Sequence, residues 1–565
     1  MATNNEESTV YNFEGMNTPL KDEKEEIKGN KKLSLKPIII ISGIILTIII
    51  LIILILIINK SGNKQVECES GYYLPDNSKS KCQKCSVDNC DKCFGNICSS
   101  CIPNYFPIYE NNILKRCIPS NKECLKYDKG TNKCLICDYG YKLENGICIV
   151  NYSFKAIYYV DSSKKNVDLI YSYCENKIKE VIIDGNVQTE IKNSYYLRYG
   201  YHTVYILLES NSLLDYLFYY NQQIKEIYFS SLFNNIEIKS INNTFSGCHS
   251  LTSIDFSNFK IKNVTSLVET FNRCSSLKNI NISNIDISKV TNMRGLFFDC
   301  RDLESIDFAN IKTKELKYME EMFYGCSSLK SLDLSNFDTR HITSFLNLFD
   351  GCESLTSLNI SNFNTTNVIY MKNMFKNCFS LTSLDLSNFD TNKLEEIDEI
   401  FSNCSKLKSI NLSGFKINKI SSLYEIFKDC SSLISLDLSN FNTENVLKMN
   451  NIFSGCSSLI SIDLSGLFNT SKVFEMQGLF FNCSSLTSLN LSNFNPQRIL
   501  RLNEMFYGCP KLTYIDISDF SFPSNFTFSL FDINIPSVGT IIVKDENVQN
   551  QIDNLIPNWK IIVKS

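Results

Sequence analysis

Between residues 211 and 565 apolar side chains recur in a fixed pattern that predicts one strand and one short helix per period. In the period around Cys352, Leu355, Leu358 and Ile360 have L-x-x-L-x-L spacing, and the last two alternate as on a half-buried strand. Upstream, apolar residues from Ile342 to Cys352 recur at three- and four-residue steps, as on one stripe of a helix. We therefore expect strand, bend and short helix in each period.

A cysteine closes each period. The step is 26 residues, except for one of 27 that we attribute to insertion of Phe468. The residue before each cysteine is Gly, Asn or Asp except at Arg273, and these types tolerate the left-handed conformation that ends a helix. A constant period of this length indicates stacked turns. The cysteines are Cys248, Cys274, Cys300, Cys326, Cys352, Cys378, Cys404, Cys430, Cys456, Cys483 and Cys509.

The predicted fold is an α/β solenoid, a right-handed leucine-rich-repeat array with a parallel sheet on one face and short helices on the other. Asn221 stands in the cysteine place of one degenerate turn upstream, and Val538, Ile541 and Val543 keep the strand spacing in another downstream. These turns are expected to cap the array. The repeat cysteines are expected to be buried free thiols, because stacking in register points their side chains the same way.

Residues 37–59 are predicted to form a transmembrane signal-anchor helix. The segment from Ile38 to Ile58 is apolar apart from two small hydroxyl residues and a glycine, and it is long enough to span a hydrocarbon core. More lysines precede than follow it, which predicts a cytoplasmic N-terminus, with a disordered tail over 1–36 and the C-terminal region extracellular. The predicted localisation is a single-pass plasma-membrane protein.

Residues 65–150 hold twelve cysteines and few large aliphatic residues, so cross-links rather than a core must hold this stalk together. Disulfides are the favoured interpretation, and a structural zinc site at the C-x-x-C pairs is the alternative. The expected disulfide cysteines are Cys68, Cys82, Cys85, Cys90, Cys93, Cys98, Cys101, Cys117, Cys124, Cys134, Cys137 and Cys148. Residues 151–210 are predicted to be a small β-rich module.

Charge and motifs exclude several classes of function. The net charge of −4 does not favour nucleic-acid binding, which needs a clustered basic surface. The three histidines are scattered, and the sequence has no nucleophile-elbow, P-loop or zinc-protease motif. We expect no enzyme activity, no cofactor and no metal.

Two segments resemble known families. The phrase from Met374 to Thr391, repeated with small changes, closely resembles the BspA-like leucine-rich-repeat surface proteins. The C-x-x-G-Y signatures at Cys68 and Cys137 resemble furin-like, growth-factor-receptor cysteine-rich repeats. The first resemblance implies cell-surface adhesion, and the second is silent on ligand.

The candidate binding surface is the exposed column of the sheet, where one Asp or Asn per turn stands between the two inward residues of each strand. A file of carboxylates is repulsive, so it indicates either an acidic recognition face or a ladder that alternate Asn and solvent make tolerable. The candidate ligand-binding residues are Asp307, Asp333, Asn359, Asp385, Asn411, Asp437 and Asp463.

Sequons are abundant, and those on the column itself would mask it if they were glycosylated. The other glycosylation candidates are Asn151, Asn242, Asn263, Asn364, Asn469 and Asn525.

Two functions remain open. The chain is a surface adhesin or receptor-like protein that uses the sheet face for multivalent recognition of an extracellular protein or glycan. Alternatively, it is a structural or antigenic coat protein without a specific ligand.

Overall fold

The computed structural model describes strand segments between 72 and 127 and most of the chain from 133 to 564. Within that stretch it omits 139, 146, 210–213, 232–237, 260–261, 284, 465–467, 522–529, 531–534 and 554. The described part contains no helix long and apolar enough to cross a membrane. The predicted tail and transmembrane segment, residues 1–59, lie outside the described residues.

The chain forms two compact units, residues 1–120 and 121–565. In the first unit, strands pair antiparallel as β1 with β2, β3 with β4, and β5 with β6. Their bounds are Tyr72–Tyr73, Gln83–Lys84, Cys90–Phe94, Ile97–Cys101, Tyr105–Glu110 and Ile113–Pro119.

The second unit opens with two further antiparallel hairpins, β7 with β8 and β9 with β10. Their bounds are Cys124–Tyr127, Cys134–Cys137, Tyr141–Glu144 and Ile147–Val150.

The β-rich module shares a sheet with the first solenoid turns. Its strands are β11 (Phe154–Asp168), β12 (Ile178–Ile183), β13 (Asn186–Val187) and β14 (Ser194–Leu208), with a 3-10 helix over Ser172–Lys177. Strand β15 (Ile224–Phe229) pairs antiparallel with β11 and parallel with β16 (Ser253–Asp255), which gives a six-stranded sheet. The buried residues of the module and of the array form one hydrophobic cluster, so the module closes the N-terminal end of the solenoid core.

The array stacks as predicted, with parallel strands that pair at a 26-residue offset, for example Leu332 with Leu358. Next come β17 to β23, at Asn279–Asn281, Ser305–Asp307, Ser331–Asp333, Ser357–Asn359, Ser383–Asp385, Ser409–Asn411 and Ser488–Asn490. The turns between Asn411 and Ser488 continue the sheet face through a parallel bridge from Asp437 to Asp463.

The short helices predicted for the opposite face are wrong. There the chain forms consecutive tight turns, because two residues per period have positive φ. One lies five places before each cysteine and the other immediately before it, as Asn347 and Gly351 do before Cys352. A left-handed residue four places ahead of the expected stop interrupts the helical run. The N–H groups of Asn347 and Phe349 donate instead to the next turn, at Lys372 O and Met374 O, over 3.1 and 3.0 Å.

The residue before each cysteine has positive φ, as predicted, and Arg273, the residue outside the expected types, adopts it too (φ 58°). Phe468 is not an insertion. It is buried and stacks on Phe494 at 5.6 Å, as Phe389 stacks on Phe415 in an earlier pair of turns. The additional residue of that turn therefore lies between Leu464 and Phe468.

A column of stacked phenylalanines fills the core. Each ring lies three residues before a repeat cysteine, and Phe218 extends the column into the N-terminal cap. Successive centroids are 5.3–6.3 Å apart, and their planes lie within 20° of parallel. A period that repeats in register therefore places identical side chains on one another and buries a continuous apolar spine.

The eleven repeat cysteines are buried free thiols, as predicted. Each donates to the carbonyl of the phenylalanine in the preceding turn, as Cys352 Sγ does to Phe323 O over 3.2 Å. Burial raises the pKa of these thiols, for Cys404 to about 12. They are neutral structural groups rather than nucleophiles.

At the C-terminal end two strands, β25 (Thr540–Val543) and β26 (Lys560–Val563), follow β24 (Tyr514–Ile517), the strand of the last cysteine turn. These three strands pair in parallel, and α1 (Glu546–Ile552) packs on the last two. Ile541 and Val543 are buried as predicted, but the inward position expected for Val538 is wrong, since its side chain is 64 % exposed. Instead Trp559 packs over Gly539 and donates from Nε1 to Pro536 O over 3.0 Å.

Candidate functional site

The candidate ligand-binding residues form one exposed column along the sheet face. Neighbouring members are register partners where strands pair, as Asp333 is with Asn359 and Asp385 with Asn411. All seven predicted residues, Asp307, Asp333, Asn359, Asp385, Asn411, Asp437 and Asp463, are exposed. A serine column, from Ser305 to Ser488, is exposed two residues earlier in each strand.

These side chains also have a role within the fold. In six of the seven, one oxygen accepts the backbone N–H two residues later, where the chain bends away from the sheet. For Asp463 that later residue lies outside the described residues. Asp333 Oδ1 accepts Ser335 N over 2.9 Å, and Asp385 Oδ1 accepts Ser387 N over 3.0 Å. The same bond occurs at Asp255, Asn281, Asp307, Asn359, Asn411, Asp437, Asn490 and Asp516. Asp and Asn both supply this acceptor, so the turn explains why either residue occupies the position. It does not explain why the charged residue, Asp, is chosen more often than Asn.

Two carboxylates near the middle of the column are stabilised in their charged form. Hydrogen bonds from the Ser335 hydroxyl and backbone N–H, with help from Asn359, lower the pKa of Asp333. Bonds from Ser387 and Asn411 lower the pKa of Asp385 in the same way. An Asn between two Asp residues therefore relieves repulsion by donating to its neighbour.

Repulsion persists where two carboxylates are adjacent. The pKa of Asp437 is lowered by Ser439, and the charge of Asp463 opposes that effect. The column is thus negatively charged at neutral pH along its length, and it repels itself most where no Asn intervenes.

A shallow depression of about 370 Å³ interrupts the column near its middle. It lies between β20 and β21, which belong to separate two-stranded sheets. Leu358, Asn359, Ser383, Asp385 and Asn388 are among its lining residues. A ligand group can therefore contact apolar, hydroxyl, amide and carboxylate atoms here at once.

Aromatic side chains extend the sheet face at its N-terminal end, which sequence reasoning missed. Tyr228 pairs with Asp255, and Lys155 pairs with both Tyr228 and Tyr205, so all four side chains share one face. Lys155 Nζ lies 5.7 Å from the Tyr228 ring centroid and 6.0 Å from that of Tyr205. Tyr201, on the same strand as Tyr205, is 72 % exposed. The alternation of tyrosines over 199–205 was the available signal, but the sequence did not show that this strand joins the solenoid sheet.

The glycosylation candidates differ in accessibility. Asn263, Asn364 and Asn469 are exposed. Asn242 is half-buried, and its Oδ1 accepts Ser266 Oγ and Val268 N over 2.6 and 2.9 Å, so its amide is engaged within the fold. Asn151 is half-buried, and Asn525 lies outside the described residues.

Two disulfides lie within the predicted cysteine-rich stalk, Cys124–Cys134 and Cys137–Cys148. The sulfurs of Cys124, Cys134 and Cys148 lie within 4.8 Å of one another, and they form the one group in the described part of the chain that is close enough to hold a metal ion. Paired as disulfides they offer no thiolate ligand. For the other eight cysteines the side chains lie outside the described residues, although the backbone places Cys90 opposite Cys101 and Cys93 opposite Cys98.

Comparison with known proteins places the array in a family. A family model described as "Mycoplasma protein of unknown function, DUF285" matches residues 214–332, 239–356, 317–436 and 421–528, together more than half of the chain. The chain belongs to this family. The description assigns the family no function, and the match does not reach the cysteine-rich segment. No protein with a curated description is significantly similar to this sequence.

Several solved structures show a distant likeness. A leucine-rich cell surface protein from Faecalibacterium prausnitzii is 18 % identical, with a TM-score of 0.31, over 56 % of this chain and 85 % of that one. The pneumococcal vaccine antigen PcpA is 15 % identical, with a TM-score of 0.29, over 71 % of this chain and 100 % of that one. A leucine-rich-repeat protein from Eubacterium ventriosum is 15 % identical, with a TM-score of 0.21, over 49 % and 86 %. These similarities are too weak to carry an argument about function.

Proposed function

We propose that the chain is a cell-surface adhesin or receptor-like binding protein that uses the exposed sheet face of its solenoid for multivalent recognition of an extracellular protein or glycan. In this proposal residues 37–59 anchor it in the plasma membrane, with the N-terminus cytoplasmic. The observation that carries the proposal is the exposed column itself, which presents one ionised or amide side chain per turn in a fixed register.

Three features support binding at this face. The bend following these strands needs an acceptor but not a charge, so the carboxylates of Asp307, Asp333 and Asp437 exceed what the fold requires. The depression beside Asp385 offers a concave contact. The tyrosines near Asp255 add the aromatic area that dominates many protein interfaces. Weak contacts repeated along the column would add up through multivalency.

The cysteine chemistry supports the location. Two disulfides in the segment after the predicted anchor fit an oxidising compartment outside the cytosol. The repeat cysteines are compatible with that compartment because they are fully buried and stay reduced without protection from the cytosol.

The test replaces Asp333, Asp385, Asp437 and Asp463 together by Asn, which keeps the Oδ1 acceptor and removes four charges. Each replacement creates an Asn-x-Ser sequon, so the variant must be made in a host without N-glycosylation. The full-length chain in proteoliposomes is applied to microarrays on which matrix proteins and glycans are immobilised, and binding is measured at several salt concentrations. We expect binding to fall and its salt sensitivity to shrink, with the unfolding midpoint unchanged or raised.

Binding equal to wild type would contradict recognition by the column. Leu358→Asp is the control for loss of fold, because it places an unpaired charge against the core. The alternative function, a coat protein without a specific ligand, predicts that Asn281, Asn359, Asn411 and Asn490 carry glycans in the native host. Mass spectrometry of glycopeptides decides this, since an occupied column is masked.

A further inference from the structure

Besides the column, a second line of stacked residues, the ladder, runs along the turns away from the strands of the sheet face. It consists of the residue eight places before each cysteine. Parallel bridges join most successive members, among them Asn292 with Tyr318, and Tyr370 with both Ser344 and Glu396. Most members are small or charged, but Tyr318 and Tyr370 are large, and their side chains are 47 % and 43 % exposed. Two exposed tyrosines on one polar ladder have no role in the core and indicate a contact surface.

A groove lies between these tyrosines. Ser344 separates them on the ladder and is only 8 % exposed, so the small side chain leaves a depression of about 520 Å³ with Leu346 beside it. A second depression of about 460 Å³ follows on the other side of Tyr370. Tyr370 therefore stands between two hollows on one line.

The groove is acidic, and its charges are incompletely paired. Glu320 lines the first hollow, and its Oε2 is shielded from solvent with no hydrogen-bond partner among the described residues. Arg294 lines the same hollow and forms an ion pair with Glu321 at 3.1 Å. Burial raises the pKa of the Glu320 carboxyl, and this effect outweighs the lowering by its backbone hydrogen bond, by the charge of Arg294 and by the Ser344 hydroxyl.

The second hollow also has a partly buried carboxylate, and this one accepts a hydrogen bond, from Tyr424 N to Asp398 Oδ1 over 3.1 Å. Asp398 occupies the same place in its turn as Glu320, two residues after the ladder position, and burial raises its pKa. Glu395 and Glu396 line the hollow as well, and each pairs with one lysine, Lys419 Nζ at 3.9 Å from Glu395 and Lys372 Nζ at 3.5 Å from Glu396. Asp398 is the additional carboxylate of this hollow. Carboxylates thus exceed bases on both sides of Tyr370.

We propose that this groove binds an extended basic segment of a partner protein, with one Lys or Arg side chain between Tyr318 and Tyr370 beside Glu320 and another beyond Tyr370 beside Asp398. A cation between the rings gains from the tyrosine faces and from the carboxylate together. The inference rests on the proposed adhesive function and adds to it a partner class and a second surface.

The repeat geometry fixes the spacing of the two cations. Glu320 and Asp398 lie three turns apart, which at the usual strand separation is roughly 14 Å. An extended chain advances about 3.4 Å per residue, so residues i and i+4 span this distance and project to the same side. The matching sequence is Arg-x-x-x-Arg.

The test measures fluorescence anisotropy of a fluorescein-labelled peptide, Gly-Ser-Arg-Ser-Thr-Ser-Arg-Ser-Gly, with the full-length chain in detergent. A peptide of the same composition with adjacent arginines is the spacing control. We expect Glu320→Gln to weaken binding about tenfold, because it removes a charged partner while keeping the shape. Tyr370→Ser, which places the residue type of position 344 on the ladder, should weaken binding by about threefold to thirtyfold.

Glu353→Gln is the matched control, since Glu353 is exposed, lies outside the groove and loses the same charge. It should bind within about twofold of wild type. Unfolding midpoints separate binding from folding. Glu320→Gln should not lower its midpoint, because burial disfavours the charged form of this carboxyl and Gln carries no charge. Equal binding by wild type, Glu320→Gln and Tyr370→Ser would overturn the inference, and so would equal binding of the two peptides or no binding by wild type.

Failure here is distinguishable from failure of the proposed function. The column variant leaves the groove intact and should bind the peptide normally. Suppose that the column variant loses binding to the arrayed matrix proteins and glycans, while the peptide fails to bind wild type. The sheet-face function would then stand, and peptide binding in the groove would be refuted.

Discussion

Removing one ring from the aromatic spine should destabilise the solenoid strongly and locally. Phe349 is fully buried, and its ring centroid lies 5.8 Å from Phe323 and 5.6 Å from Phe375. Truncating a buried Phe to Ala costs about 3–5 kcal/mol. The two stacked pairs add roughly 0.5–1.5 kcal/mol each beyond burial, so Phe349→Ala should cost about 4–8 kcal/mol.

The defect lies near the middle of a structure in which each turn contacts only its neighbours, so the two halves should separate energetically. The only tryptophan, Trp559, reports on the C-terminal end, whereas far-ultraviolet circular dichroism reports on the whole chain. In guanidinium titrations of the chain in detergent, the variant should show a lowered midpoint and non-coincident transitions for the two probes.

Two matched variants sharpen the test. Phe349→Leu keeps most of the volume but removes both stacked pairs, so it should cost about 1–3 kcal/mol. Ile460→Ala truncates a side chain that is 50 % exposed and should change stability by less than about 0.5 kcal/mol. A cost below about 1 kcal/mol for Phe349→Ala would refute the idea that the stacked rings form the stabilising spine.

Three further predictions concern chemistry and topology. Thiol labelling of the denatured chain without reductant should modify the eleven repeat cysteines and Cys174, which are free and buried, and leave the stalk cysteines blocked; labelling of the stalk would contradict a disulfide module. Burial raises the pKa of Asp350 to about 6, so the folded chain holds this proton more tightly than the unfolded chain does. The free energy of unfolding should therefore be highest below about pH 4 and should fall as the pH rises to about 6. Asp350→Asn should therefore add about 3 kcal/mol at pH 8 and almost nothing at pH 4, and an equal gain at both would disprove the assignment. External protease on intact cells should remove the C-terminal region and spare the N-terminal tail, whereas protected repeats would contradict the proposed topology.

The repeat period, the parallel strands and the buried cysteines were predictable because each depends on spacing within one period. The spacing of Leu355, Leu358 and Ile360 identifies inward positions without knowledge of the neighbouring turns. The left-handed residue before each cysteine was also predictable, because Gly, Asn and Asp mark it locally.

The helices were predicted wrongly for a physical reason. Three- and four-residue apolar steps fit a helical stripe, but they fit a run of tight turns equally well. The deciding feature is the second left-handed residue, which is Glu at positions 269, 321, 399, 425 and 504, and Glu carries no signal for that conformation. Bonds to the next turn stabilise it, and they are not visible in one period.

The candidate surface was predictable only in part. The exposed column follows from strand alternation, yet its Asx turns, the depression beside Asp385 and the adjoining tyrosines depend on tertiary pairing. The groove at Tyr370 was missed because its residues come from several turns, and their common ladder becomes evident only when the turns are stacked.

The central claim, that the sheet face mediates recognition, is tested most directly by masking it. Asp385→Asn creates the sequon Asn-Leu-Ser at the depression, and Asp385→Asn combined with Ser387→Ala carries the same charge change without a sequon. Both variants are displayed as full-length chains on cells that glycosylate their surface proteins. Adhesion of these cells is then measured to the immobilised protein or glycan that the wild-type chain binds. We predict that the glycosylated variant loses adhesion while the double variant retains it. Adhesion of the glycosylated variant at the wild-type level would contradict the claim.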